Sequence, residues 1–220
     1  MIKAKKSLGQ NFLNDIKVLK KIINVTPIKG KDILEIGPGS GNLTDYLIKK
    51  KPKKIILIEK DKYLCELLKK KYNNIDIYNK DFLKVSDNFL SNYNFIIFGN
   101  LPYNVSSQIL VKLIINKEML KFKKIVFMFQ KELADRIISK VNTKNYGRLS
   151  ILSNWKFEVR KITDVSPNSF KPRPKINSSL LLFTPKENIF KLKNPKNLEY
   201  VTKVFFNQRR KKIKKPINIL

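Results

Sequence analysis

Asn100, Leu101, Pro102 and Tyr103 follow an apolar run, FIIFG at 95–99, that reads as a buried strand. A turn of this composition at the carboxyl end of a strand can hold an exocyclic amine and stack on its ring. The Asn100 side-chain oxygen and the Leu101 carbonyl can accept the amine's hydrogens. The Tyr103 ring offers a flat face to an aromatic base.

A second constellation is EIGPGSG, Glu35 to Gly41. Glycines at such a turn let the backbone approach a ligand and let the following helix pack close. Glu59 ends the next apolar run, about 20 residues on, where an acid binds ribose hydroxyls. Asp81 lies just beyond a third run, placed to accept from an adenine amine. These residues point to a nucleoside cofactor. The spacing leaves NAD open, and the GxGxG turn combined with the Asn100 turn tilts toward S-adenosylmethionine.

The elements that position these residues alternate. Strands are expected at 32–36, 54–58, 75–78, 95–98 and 125–129, with helical patterns from Asn42 to about Lys50, around Leu64–Leu68, over Ser106–Ile115 and from Lys131 to about Val141. Strand and helix alternation at this spacing predicts a parallel sheet with helices on both faces. Two further β-segments, 156–163 and 178–184, flank a loop with Pro167, Pro172 and Pro174, which excludes helix there. Beyond Pro185 the chain is polar. A helix over roughly Leu198–Lys212 is expected to turn Val201, Val204 and Phe205 inward. The boundary is set near residue 186, with a catalytic domain over 1–186 and a reduced helical C-terminal domain over 187–220.

Composition narrows the chemistry. The chain has no histidine and one cysteine, so histidine bases, His-paired nucleophiles and a typical zinc site are excluded, and no metal is expected. The apolar runs are short and broken by lysines, so no membrane span is expected. Cys65 cannot pair internally and reads as a small core residue, which makes the cytosol the simplest compartment. A net charge of +30, from 47 basic and 17 acidic residues, attracts polyanions. A lysine-rich composition also follows from an AT-rich genome, so Arg136, Arg148, Arg173, Arg209 and Arg210 are the better phosphate contacts.

The segments KSLGQNFL (6–13), ILEIGPGSGNLT (33–44), IEKD (58–61), FGNLPYNVSS (98–107), FQKELADRI (129–137), YGRLS (146–150), FKPRPKINS (170–178) and FNQRRKKIK (206–214) resemble the ribosomal RNA adenine dimethyltransferase family, in family order and through nearly the whole chain. The likeness is to its bacterial small-subunit branch. The resemblance implies a class I S-adenosylmethionine-dependent methyltransferase fold, Rossmann-like, with seven strands and the last antiparallel. It implies dimethylation of two adjacent adenines near the 3′ end of small-subunit rRNA, within the 30S-type subunit or its precursor, with a role in subunit maturation; a monomer is expected.

Cofactor contacts carry over onto Asn11, Leu13, Gly37, Glu59, Asp81 and Asn100. Gly37 falls by the methionine portion, Glu59 by the ribose and Asp81 by the adenine, with Asn11 and Leu13 in an N-terminal segment that folds over the cofactor. Asn100, Leu101, Pro102 and Tyr103 fall on the target base, and Phe170 matches the family aromatic that closes its other face; a loop anchor in a small apolar pocket is the alternative for Phe170. Family members usually carry a longer C-terminal helical domain, so docking is expected to lean on general positive charge. A methyltransferase acting on large-subunit rRNA and a non-catalytic ribosome-assembly factor are the competing readings.

Overall fold

Residues 33–36, 55–59, 95–99, 125–129 and 178–183 are buried without alternation, as for strands covered on both faces. The computed structural model describes residues 4–5, 8–86, 89, 93–115, 121–207 and 217–218. In chain order the elements are β1 (Phe12–Leu13), α1 (Ile16–Ile23), β2 (Asp32–Ile36), α2 (Asn42–Lys49), β3 (Lys54–Glu59), α3 (Lys62–Lys71), β4 (Asp76–Asn79), β5 (Asn94–Gly99), α4 (Tyr103–Ile115), β6 (Lys121–Gln130), α5 (Lys131–Ile137), α6 (Arg148–Lys156), β7 (Phe157–Val165), β8 (Phe170–Lys171), β9 (Ser178–Pro185) and α7 (Pro195–Asn207).

Seven strands form one sheet in the order β4-β3-β2-β5-β6-β9-β7. The first five are parallel, and β9 runs antiparallel between β6 and β7. The expected reversed last strand is present. Successive side chains of a strand point to opposite faces, and the core divides accordingly. Leu34, Ile56, Ile97, Phe127 and Phe183 face α4, α5 and α6. Their neighbours Ile33, Leu57, Phe98, Val126 and Leu182 face α1, α2 and α3. Cys65 is buried in that second cluster, as expected.

Several elements differ from the expectation. Helices α1 and α6 are additions to the expected set. Asp15 caps α1 by accepting from the N–H groups of Lys17 and Val18, and Leu19, Ile22 and Ile23 bury its inner face. Helix α6 shows little segregation of apolar residues: it buries Leu152 together with Ser150 and Ser153, so its inner face does not read as apolar in the sequence. Helix α5 ends at Ile137, short of Val141. Helix α7 spans Pro195–Asn207 and buries Thr202, while Val201 is exposed; Glu199 of this helix pairs with Arg148 of α6 at 2.6 Å. Arg209 and Arg210 lie outside the described residues.

Candidate functional site

The carboxyl ends of β2, β3 and β5 open on one cavity of about 960 Å³ including its open mouth. Its floor is the glycine turn after β2. Gly37, Gly39 and Gly41 all have positive φ, at 67°, 60° and 81°. A Cβ on Gly41 would meet the Tyr72 hydroxyl at 2.6 Å, so glycine is what lets α2 sit against α3. A Cβ on Gly39 would meet the Phe12 ring at 3.0 Å, where the N-terminal segment comes down on the turn. Beside Gly37 a Cβ would meet nothing within 4 Å, so open space adjoins that backbone.

Glu59, at the end of β3, is 6% exposed. Its Oε2 accepts from the Gly39 N–H at 3.0 Å and its Oε1 from the Asp61 N–H at 2.8 Å. Burial pushes its carboxyl above the ordinary range, against the pull of those N–H donors. Glu35 lines the floor with a carboxyl pushed up to about 8 by burial, while the Thr44 hydroxyl donates to Oε2 at 2.7 Å and opposes the rise.

Asp81 does not line the cavity. Its Oδ1 caps a short helical turn by accepting from the Leu83 N–H at 3.0 Å, and its Oδ2 pairs with Lys60 Nζ at 2.9 Å. Partial burial works to raise its pKa, but the Lys60 and Leu83 hydrogen bonds outweigh it and leave the carboxyl low. Lys60 lines the cavity, so Asp81 reaches it at one remove.

The opposite wall is the turn after β5, with Asn100, Leu101, Pro102 and Tyr103 all lining the cavity. The Leu101 side chain is 2% exposed and folds back on β5: a Cβ on Gly99 would meet it at 2.9 Å and the Phe127 ring at 3.0 Å. That burial, worth about 1.5–3 kcal/mol, pins the turn. The Pro102 carbonyl accepts from the N–H groups of Val105 and Ser106 and starts α4. The Tyr103 hydroxyl meets Ser178 Oγ at 2.6 Å, and burial raises its pKa against that contact.

Residues Leu8–Leu13 form a strap along the cavity. The Asn11 carbonyl accepts from Asn100 Nδ2 at 3.0 Å. Farther on, Asn42 Nδ2 donates to the Leu13 carbonyl at 2.8 Å, and Phe12–Leu13 pairs antiparallel with Phe170–Lys171. Phe170 is 5% exposed, lies in the core cluster with Leu13, Val165 and Leu180, and is not part of the cavity wall. The structure thus brings Asn11, Leu13, Gly37, Glu59 and Asn100–Tyr103 together and sets Asp81 and Phe170 outside.

Gln10 and Asp61 fall within the segments KSLGQNFL and IEKD, but the sequence assigns neither of them a role. Gln10 Nε2 donates to Asp61 Oδ2 at 3.1 Å. The one visible sign is Asp61 opening α3, which reads as a helix cap and is one, accepting from the Tyr63 N–H. Among the arginines, Arg136 pairs with Glu132 one helical turn away, Arg148 is committed to Glu199, and Arg173 is exposed.

The Ribosomal RNA adenine dimethylase family model matches residues 1–220. Ribosomal RNA small subunit methyltransferase A of Pelagibacter ubique is 62% identical over 219 residues, covering 99% of this chain and 84% of its own length. Its namesake in Francisella tularensis subsp. novicida is 43% identical over 216 residues, covering 95% and 81%. Among solved structures, a dimethyladenosine transferase from Plasmodium falciparum superposes with a TM-score of 0.78 at 35% identity, covering 92% of this chain and 73% of that one. The 23S rRNA methyltransferase ErmE shares the fold, with a TM-score of 0.70 at 24% identity, covering 95% and 84%.

Proposed function

The chain belongs to the ribosomal RNA adenine dimethylase family, and from that premise we propose that it dimethylates the exocyclic amines of two adjacent adenines near the 3′ end of small-subunit rRNA, using S-adenosylmethionine. The observation that carries this reading is one cavity walled by the glycine turn and Glu59 on one side and by Asn100–Tyr103 on the other.

The residues fit the methyl donor. The open space beside Gly37 suits a ligand lying against the backbone, and Glu59 can accept from ribose hydroxyls at its carboxylate. Asn11 and Leu13 cover it from the strap. We assign the adenine end to the rim near Lys60, where Asp81 becomes available if Lys60 moves off it. When bound, the donor supplies a sulfonium methyl already activated for transfer.

What the chain's residues do is orient. The target base leaves its stack to reach the cavity. Asn100 and the Leu101 carbonyl accept from its amine, which turns the nitrogen lone pair toward the donor. Tyr103 supports one face of the base. For each nitrogen–methyl bond formed, the donor's sulfur–methyl bond would break, and the nitrogen would shed one proton to water at the open mouth of the cavity, with no histidine needed to take it. Holding two reactants in line accounts for much of such an acceleration. The pocket must also admit a monomethylated amine, so one accepted hydrogen has to suffice in the second round. Phe170, buried against Leu13, is assigned to anchoring the strap, with its closing of the second face dependent on movement out of the core.

The same reading has a cytoplasmic monomer acting on the small subunit or its precursor. Residues 1–186 form the catalytic unit and 187–220 a helical appendage seated through α7 on α6. Incubation with labelled S-adenosylmethionine and unmethylated small subunits, followed by product mapping, tests it. Label in two adjacent adenines near the 3′ end is expected; label in large-subunit rRNA, or none, would overturn the reading.

A further inference from the structure

The strap is held at two consecutive residues by contacts of different kinds. At Gln10, the side-chain oxygen accepts from the Lys5 N–H at 2.8 Å and Nε2 donates to Asp61 Oδ2 at 3.1 Å, while Lys5 Nζ meets Asp61 Oδ1 at 2.8 Å. Asp61 is 4% exposed, and its own N–H donates to Glu59. At Asn11, the carbonyl accepts from Asn100 Nδ2 at 3.0 Å. The carboxylate beside Glu59 and the amide beside the target base are therefore joined through adjacent residues of one segment.

The second contact bears on chemistry. An amide has an acceptor end and a donor end of nearly equal size, and the hydrogen-bond network decides which end faces where. With its NH₂ end given to the Asn11 carbonyl, Asn100 has its oxygen to offer an amine. A reversed amide would present N–H groups to a group that itself donates.

We propose that Asp61 and Gln10 are positioning residues for methyl transfer: they seat the strap, and the seated strap fixes the Asn100 amide in its accepting orientation. This rests on the cavity holding S-adenosylmethionine beside a target adenine. A site whose base-reading amide is set by the cover of the donor pocket reads the base best when the cover is down.

Asp61→Asn separates this role from helix capping. Asparagine caps a helix about as well as aspartate, but it has one oxygen where Asp61 uses two. Its NH₂ group would oppose the NH₂ group of Gln10. The double variant Asp61→Asn/Gln10→Glu restores the pair with its polarity exchanged and leaves an oxygen for the Lys5 N–H.

The full chain is assayed by calorimetry with S-adenosylmethionine and by single-turnover methylation of unmethylated small subunits at saturating donor. Asp61→Asn and Gln10→Ala are each expected to weaken donor binding about tenfold, as for one charge-assisted hydrogen bond. The turnover rate at saturating donor should also fall several-fold, with the melting temperature little changed. The double variant should recover most of both losses. If Asp61→Asn folds poorly, Gln10→Ala carries the test. Three results would overturn the proposal: unchanged donor binding, full recovery of rate by saturating donor alone, or no rescue in the double variant. If the unsubstituted chain fails to bind S-adenosylmethionine, the reading of the cavity falls first and the proposal with it.

Discussion

The two walls of the cavity are built from different materials. The turn after β5 takes its shape from the sheet: Gly99 has no Cβ, Leu101 plugs the core, and Asn100 and Tyr103 are left where the strand delivers them. The strap facing it is anchored in the core only at its end, where Leu13 is buried and pairs with Phe170, and over Gln10 and Asn11 it is held by side-chain hydrogen bonds. A packed wall is rigid because interiors are close-packed. A hydrogen-bonded wall can open and reclose, because water takes the place of each departing partner at small net cost. The difference suits a site that must hold one group still and let another in and out.

The largest expected effect strikes the packed wall. Asn100→Ala removes the oriented acceptor and should lower the methyl-transfer rate by about 10²–10³-fold, as for loss of one preorganised hydrogen-bonding group, in single-turnover assays. An activity within a few-fold of normal would mean that the turn's backbone suffices. Tyr103→Ala comes next. Stacking worth about 1–3 kcal/mol corresponds to a loss of roughly 5- to 150-fold, with donor affinity close to normal by calorimetry. Tyr103→Phe gives up only the contact to Ser178 Oγ and should retain most activity. If the two variants behave alike, the hydroxyl rather than the ring matters.

A third effect belongs to the floor of the donor side and is read in stability. Glu35 holds its proton to about pH 8 in the fold, while the unfolded chain releases it near 4.5. Between those values the native state binds more protons than the unfolded one, so this contribution to stability falls as pH rises. Glu59, also raised, adds to the same slope. Glu35→Gln should flatten the decline of melting temperature from pH 5 to 8 by several degrees, on the order of 2–4 °C per kcal/mol for a chain of this size. A slope identical to the parent's would show Glu35 ionised throughout. The smallest effect lies outside both walls: Glu199→Ala breaks the pair with Arg148 and should cost under about 1 kcal/mol. Methylation should be unchanged when melting and turnover are measured together.

How far the sequence reveals these walls follows from how each is made. The packed wall is legible: an apolar run ending in Asn100–Tyr103 states its strand, its edge and its chemistry in one stretch. Glu59 and the glycines are legible for the same reason, lying at strand ends with recognisable spacing. The strap's fastening is not, because Gln10 reaches Asp61 across 51 residues of chain and neither residue shows a periodicity. Phe170 illustrates the limit of a local motif: its segment is recognisable, but its burial depends on pairing with Leu13. Asp81 reads as a strand-end acid, yet Lys60 and the Leu83 N–H engage both its oxygens.

The reversal of β9 has a consequence at the rim. Ser178, its first residue, lies beside Gln130, the last of β6. A strand entering the sheet from that end carries its preceding loop to the edge where the parallel strands finish. Residues 171–177, with exposed Lys171, Arg173 and Lys175, therefore emerge next to Tyr103 rather than at the far end of the molecule. That loop begins at Lys171, which pairs with Phe12 of the strap. Its cations therefore meet a large substrate at the entrance from the same segment that holds the cover of the donor side.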